Sequence, residues 1–191
     1  MEEYGRLIHI IWRDSNHLSL ESCRVTGGGT TIITGEVVGN LQGIWGTLTY
    51  EVHCRPDGST HWVRGRVCHE QGEMFWAMNR EEDGRWRVNG ELAPSLAACQ
   101  DVDISVTPST NTLVIRRLGL KVGVSQDLSA ALLRFPDLTV HVLPQRYTRL
   151  STDVYRYESL ASGFQAMLQV DEYGIVQKYD DLWESLSVFE R

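Results

Sequence analysis

The sequence predicts a mainly β protein whose strands form a long antiparallel sheet, with one or two short helices. Stretches in which polar and apolar residues alternate recur along the chain. The clearest runs from Asp101 to Thr107, with Val102, Ile104 and Val106 on one parity. Such alternation is typical of half-buried strands. Turn-forming clusters such as Pro56-Asp57-Gly58-Ser59 separate these stretches. Because each strand has one apolar face, the sheet must pack on a second sheet or curl.

Composition limits the class of protein. The 191 residues, 42% of them hydrophobic and 23% charged, fit a single domain spanning residues 1–191. The net charge is −7 and no stretch is densely basic, which argues against a nucleic-acid partner. No apolar run approaches roughly 18 residues, so we expect no transmembrane helix. The acidic start, residues 1–4, lacks the basic segment of a secretory signal and predicts a cytoplasmic location. The oligomeric state is left open.

The start of the chain predicts three strands, at residues 7–12, 21–26 and 30–38, the last rich in β-branched side chains. Gly27-Gly28-Gly29 stands between the second and third strands. A glycine triplet invites comparison with a phosphate-binding loop, but this one lacks the Gly-Lys-Ser/Thr ending. We therefore expect a tight turn, because glycine takes positive φ without steric cost.

Residues 46–69 predict a hairpin around the Pro-Asp-Gly-Ser turn. The register set by this turn places Glu51 opposite Arg64 and His53 opposite Trp62. The apolar face of the hairpin then consists of Leu48, Tyr50, Val52, Cys54, Val63 and Val67.

The same register places Gly65 opposite Tyr50, which predicts either plain packing under an aromatic ring or room for a ligand. Two further strands, at residues 74–79 and 86–89, extend the hairpin to a four-stranded antiparallel meander. Residues 93–98 follow as a linker with one helical turn.

The stretch from Cys99 to Leu118 predicts a second hairpin. After the turn at residues 108–111, a strand at 112–118 would place Asp103 opposite Arg116. This cross-strand ion pair would set the register of the two strands.

The last third of the chain predicts a helix at residues 128–134, because apolar residues recur there at helical spacing after possible capping residues. Strands at 138–143, 145–150 and 154–158 follow, and then a hairpin of residues 164–170 and 174–179. The tail at residues 180–189 predicts a second helix.

The four cysteines, at positions 23, 54, 68 and 99, are scattered without a Cys-x-x-Cys motif. We expect them to be reduced core residues. His53 and His61 fall on opposite faces of the first hairpin, so we expect no metal site. No cofactor is predicted.

Several motifs together resemble a family of bacterial glycolipid-binding proteins. They are Asp101-x-Asp103, Thr107-Pro108-x-Thr110-Asn111-Thr112-Leu113, Ile115-Arg116-Arg117-Leu118, Gln145-x-Tyr147, Tyr155-x-Tyr157, Asp171-x-x-Gly174, Gly35-x-Val37 and Trp62-x-Arg64. The resemblance spans roughly residues 32–182. It implies a sheet curled into a half-barrel or β-roll, like that of periplasmic lipoprotein and glycolipid carriers.

The sequence and the resemblance together predict non-catalytic binding of a hydrophobic or amphiphilic molecule such as a lipid or glycolipid. Aromatic residues would form the wall of an apolar cavity and arginines would meet a head group. The candidate ligand-binding residues are Trp62, Arg64, Asp101, Asp103, Asn111, Arg116, Gln145, Tyr147, Tyr155, Tyr157 and Tyr179. The alternative is a packed structural or protein-interaction module without a cavity.

A third hypothesis is a carboxylate-dependent hydrolase. Asp101 and Asp103 on one strand face would be about 6.6 Å apart by strand rise, within the range that glycoside hydrolysis uses. However, no nucleophile motif accompanies them. We therefore expect no enzymatic activity.

Overall fold

A computed structural model describes residues 7–190, which form one α-helix and one curled, unclosed sheet of fifteen strands that is antiparallel except for one pair. The acidic start at residues 1–4 lies outside this range. The strands are β1 (Leu7–Asp14), β2 (Ser19–Thr26), β3 (Ile32–Leu41), β4 (Ile44–Cys54), β5 (Thr60–His69), β6 (Gly72–Arg80), β7 (Trp86–Val88), β8 (Glu91–Leu92), β9 (Asp101–Ile104), β10 (Ser125–Arg134), β11 (Thr139–Arg149), β12 (Val154–Ser159), β13 (Gln165–Val170), β14 (Val176–Tyr179) and β15 (Trp183–Glu190). The helix α1 is Thr110–Leu118, and a short 3₁₀ helix spans Pro94–Leu96.

The sheet has two wings that meet in its middle. One wing runs outward from β1 to β8 and the other runs from β15 back to β9, with β1 paired to β15. The two wings approach each other again where the start of β5 meets β9. The Thr60 N–H donates to the Gln100 carbonyl at 2.9 Å, and the Val102 N–H donates to Thr60 Oγ1 at 3.0 Å. The sheet therefore curls nearly into a closed shape, with its apolar face inside.

Helix α1 is the crossover that joins β9 to β10. These two strands pair in parallel, and parallel neighbours require a long connection. Residues 110–115 of the helix are all buried, which shows that its first six residues lie inside the curled sheet. The helix ends at Gly119, whose N–H donates to the Ile115 carbonyl and whose φ of 50° suits glycine.

The first hairpin and the half-barrel prediction are confirmed. Strands β4 and β5 pair with Glu51 opposite Arg64 and His53 opposite Trp62, and the six predicted apolar residues are buried. The meander continues through β6 and β7 as predicted. The predicted strands at the start of the chain and the hairpin near residues 164–179 are also present.

The second predicted hairpin is wrong, because residues 112–118 belong to helix α1. Asp103 and Arg116 are therefore not cross-strand partners. Asp103 accepts hydrogen bonds from Thr110 and Gln145, whereas Arg116 Nε donates to the Tyr173 carbonyl. The β-branched residues of this segment favoured a strand locally, but the helix buries them on all sides.

The two predicted helices near the C-terminal end are also wrong. Residues 128–134 lie in β10, which pairs with β9 on one side and β11 on the other. Most of residues 180–189 lie in β15, which fills the position beside β1. In both segments the helical spacing of apolar residues was overridden by strand pairing at long range.

The four cysteines are free, and Cys68 is the one that is partly exposed. Among residues 7–190, no group of side chains could hold a metal ion. Within the same range, no helix is both long and apolar enough to cross a membrane.

Candidate functional site

Most of the predicted site residues form a buried polar network beneath helix α1. Asp101 is fully buried and accepts two hydrogen bonds from Arg117, at 2.9 Å from Nε and 2.6 Å from Nη2. Burial raises the pKa of the Asp101 carboxyl, and the ion pair with Arg117 opposes that shift. Arg117, and not its neighbour Arg116, thus forms the ion pair that holds the helix to β9.

Asp103 fixes the start of the helix to β11. Its Oδ1 accepts from Thr110 Oγ1 at 3.0 Å, and its Oδ2 accepts from Gln145 Nε2 at 2.7 Å. Burial raises the pKa of this carboxyl as well. Gln145 Nε2 also lies 3.3 Å from the Tyr157 hydroxyl. The two aspartates of the motif are therefore engaged with their own chain.

The tyrosines complete this network. The Tyr147 hydroxyl donates to Asn111 Oδ1 at 2.7 Å, and Asn111 Nδ2 donates to the Pro108 carbonyl. The rings of Tyr147 and Tyr179 both meet that of Tyr157 edge to face, with centroids 5.3 Å and 6.1 Å away. These residues pack against the helix instead of lining an open cavity.

Arg116 and Tyr155 lie at the margin of this network. Arg116 borders two crevices of about 190 Å³ each, one of which Tyr155 also borders. Both crevices are smaller than the roughly 300 Å³ that ligand pockets usually reach. Arg149 lies over the Tyr155 ring, with its guanidinium carbon 5.4 Å from the centroid.

An open groove of about 640 Å³ crosses β2 to β6 on the outer face of the sheet, opposite the core. Side chains alternate between the two faces of a strand, so the residues beside buried Tyr50 on β4 point outward. The charged residues that line the groove are Arg24, Glu36, Glu51, Arg64 and Arg66, and the aromatic ones are Tyr50, Phe75 and Trp76. Of the eleven predicted residues, Arg64 is the one that lines it.

Two glycines form the floor of the groove. A Cβ atom at Gly35 would lie 2.3 Å from the Tyr50 ring, and one at Gly65 would lie 2.4 Å from the Trp76 ring. Both rings therefore lie close against the inner side of a glycine, and no side chain covers its outer side. The sequence placed Gly65 beside Tyr50 correctly. Its contact with Trp76 comes from the next strand, β6.

The groove carries charges of both signs. Glu51 accepts two hydrogen bonds from Arg64, at 3.1 Å and 2.7 Å, and another contact comes from His53 Nε2 at 2.6 Å. The hydrogen bond with His53 lowers the pKa of Glu51. Trp62 stacks on His53, with centroids 3.8 Å apart, and carries the Arg64 guanidinium over its ring. Trp62 thus supports the groove from its edge.

Phe75 provides an apolar surface in this polar setting. It is 70% exposed, although a phenylalanine usually lies in the core. The Arg66 guanidinium carbon lies 5.9 Å from its ring centroid. The sequence does contain a signal for the groove. Alternation on β6 places Phe75 on the other face of the sheet from buried Trp76, beside Arg66 and close to Arg64 on β5.

A buried acid lies under the groove. Glu21 is fully buried and its Oε1 accepts a hydrogen bond from the Tyr50 hydroxyl, which lies 2.5 Å from Ser109 Oγ. Glu21 Oε2 has no hydrogen-bond partner among the described residues. Burial raises the pKa of Glu21 to about 7. This cluster ties the floor of the groove to the residue that precedes helix α1.

Comparison with known proteins identifies the family and agrees with the fold. Residues 9–185 match the model of a family described as "Putative glycolipid-binding". The fold is similar to the crystal structure of a DUF1089 family protein from Pseudomonas aeruginosa, with a TM-score of 0.77 and 31% sequence identity. That similarity covers 87% of this chain and 91% of the other. No curated protein matches the chain. The chain therefore belongs to the family with this description.

Proposed function

We propose that this protein binds an amphiphilic, glycolipid-like molecule without catalysis, and that the polar part of the ligand lies in the open groove. The observation that carries the proposal is a groove of about 640 Å³ that combines exposed Phe75 with arginine and glutamate side chains. Ligand sites of this size usually combine apolar surface with a few polar groups that orient the ligand. The family description supports the same class of ligand.

The proposal moves the binding site away from the central motif. Asp101, Asp103 and Asn111 accept hydrogen bonds from Arg117, Thr110 and Tyr147 beneath the helix. A ligand there would have to displace contacts that hold the helix in place. The same engagement argues against the hydrolase hypothesis, since both carboxylates lie away from the groove.

The proposal is tested by calorimetric titration with alkyl glycosides, a lysophospholipid and a fatty acid. We expect at least the glycosides to bind with a negative heat-capacity change, because apolar surface is buried. Phe75→Ala and Arg64→Ala should each weaken binding about tenfold, or roughly 1.4 kcal/mol. Arg146→Ala is the matched control, because Arg146 forms an exposed ion pair with Asp127 on the other wing.

Failure of all three probe classes to bind would contradict the proposal and favour the packed interaction module. Release of free sugar from a glycoside, lost in Asp101→Asn, would favour the hydrolase instead.

A further inference from the structure

The outer face of the sheet continues from the groove into an exposed apolar patch formed by Leu18, Leu20, Val38 and Trp45. These side chains are 43%, 49%, 52% and 61% exposed. Leu20 pairs with Val38 across β2 and β3, and Asn40 pairs with Trp45 across β3 and β4. The Asn40 N–H donates to the Leu18 carbonyl, which brings Leu18 to the same corner of the sheet.

The patch and the groove share one face of the same strands. Leu20 and Val38 stand two residues before and after Ser22 and Glu36, which line the groove. Residues two apart on a strand point to the same side, about 7 Å apart. Trp45 lies four residues from groove residue Thr49 on β4, or about 13 Å along the strand. The polar groove and the apolar patch are therefore adjacent parts of one surface.

We propose that the apolar patch takes the acyl chain of the amphiphile whose head group lies in the groove. This inference rests on the proposed function and adds the orientation of the ligand. An amphiphile needs polar and apolar surface in contact, and the step from Glu36 to Val38 provides this change in polarity.

The charges around the patch favour an acyl chain over a membrane surface. Proteins that dock on anionic bilayers present unpaired lysine and arginine near the contact. The four patch residues are uncharged, and Arg13, which pairs with Leu20 across β1 and β2, is engaged in an ion pair with Glu184. The arginines Arg24, Arg64 and Arg66 lie inside the groove, where they face the head group.

The test compares octyl maltoside with dodecyl maltoside by calorimetry below their critical micelle concentrations. The added methylenes should raise the affinity at least about tenfold, because each buried methylene contributes to transfer from water. In the double variant Leu20→Ser, Val38→Ser we expect this ratio to fall toward one. Arg64→Ala should weaken both maltosides equally and keep the ratio.

Controls separate this inference from the proposed function. The double variant Val142→Ser, Met167→Ser removes exposed apolar side chains from the other wing and should keep the wild-type ratio. Unchanged thermal midpoints would show that each variant is folded. Equal affinity of the two maltosides, or an unchanged ratio of their affinities in the variant Leu20→Ser, Val38→Ser, would overturn only the placement of the acyl chain on the patch. Absence of binding by both maltosides would also overturn this inference, and if the lysophospholipid and the fatty acid failed to bind as well, the proposed function would be overturned with it.

A vesicle experiment distinguishes a bilayer. The double variant Leu20→Ser, Val38→Ser is compared with wild type for sedimentation with phosphatidylcholine vesicles. If only wild type sediments, and the maltoside ratio is the same in both proteins, the patch binds a membrane surface and the inference is overturned. Retained chain-length dependence in wild type without vesicle binding supports it.

Discussion

At the scale of single residues, Glu21 links the chemistry of the interior to pH. Its carboxyl is fully buried, and burial raises its pKa from 4.5 to about 7. The folded protein therefore holds a proton between about pH 4.5 and 7 that the unfolded chain has released. Where the folded state binds more protons, the free energy of unfolding falls as the pH rises. The stabilisation is complete below pH 4.5 and is lost as the pH passes 7.

We predict that Glu21→Gln removes this pH dependence. The wild type should lose about 3 kcal/mol of unfolding free energy between pH 4.5 and 7.5 from this group, at 1.36 kcal/mol per pKa unit. The glutamine variant should lose much less, because its side chain stays neutral. Urea unfolding at both pH values measures the difference.

Glu36→Gln is the control, since Glu36 is exposed on the neighbouring strand. Parallel pH profiles for wild type and Glu21→Gln would show that Glu21 is not the group responsible.

The sequence was informative about residues wherever a turn set the register. The Pro-Asp-Gly-Ser turn paired Glu51 with Arg64 correctly, because strand alternation leaves few other registers. The register predicted from the sequence was wrong for Asp103 and Arg116, because the partners of these residues depend on where α1 packs. The choice between Arg116 and Arg117 for the aspartate is made by the direction of each side chain on the helix, which requires knowing that a helix is present.

At the scale of elements, the segment of α1 contained signals for a helix that its composition concealed. Arg116 and Arg117 occupy the last turn and Gly119 follows the end, which is the usual pattern of a helix C-terminus. All the residues from 110 to 115 are buried. This part of the helix therefore has no solvent-exposed polar face, which is the feature by which an amphipathic helix is recognised. The burial comes from the surrounding sheet, so no local pattern could report it.

We predict that Gly65→Ala destabilises the groove floor. The new Cβ atom would lie 2.4 Å from the Trp76 ring, so the ring or the strand must move. Such overpacking typically costs about 1–3 kcal/mol. Chemical unfolding measures the loss, and tryptophan fluorescence should report the displaced ring.

Gly27→Ala is the matched control, because its Cβ atom would meet Arg116 at an ordinary 3.5 Å. If the two alanine variants were equally stable, Trp76 would not be held against Gly65 as described.

At the scale of the whole molecule, burial divides the four cysteines into two groups. Cys23, Cys54 and Cys99 are buried, and Cys68 is partly exposed. Burial raises the pKa of Cys54 to about 12 and that of Cys99 to about 11, and it raises the pKa of Cys23 well above its ordinary value. The thiolate is the reactive form, so these three thiols should react slowly in the folded protein.

We predict one fast thiol in the native protein and four thiols after denaturation without reductant, measured with an aromatic disulfide reagent. Cys68→Ser should abolish the fast phase and leave three. A total of two or none in freshly purified wild type would reveal disulfides, and it would count against the expected cytoplasmic location.

The mainly β class and the curled sheet were predictable, because both follow from local alternation and from the family motifs. The position of β15 was not predictable. Leu182, Leu186 and Phe189 have helical spacing, and nothing in that spacing indicates that the segment pairs with β1. The parallel pairing of β9 with β10 also depends on the crossover through α1. The groove arises from four neighbouring pairings at once, so single-strand patterns did not locate it.

The joint between β1 and β15 has a consequence for how the chain folds. Every other pair of neighbouring strands is consecutive in the chain. All of these pairs except β9 and β10, which the crossover through α1 joins, can form with a short loop. The joint pairs Ile8 with Glu190, at almost the full separation of the chain. The entropy of closing a loop grows with its length, and contacts of long sequence separation slow folding. The long-range step of folding is therefore the pairing of β1 with β15, which joins two wings whose own strands pair with near neighbours in the chain.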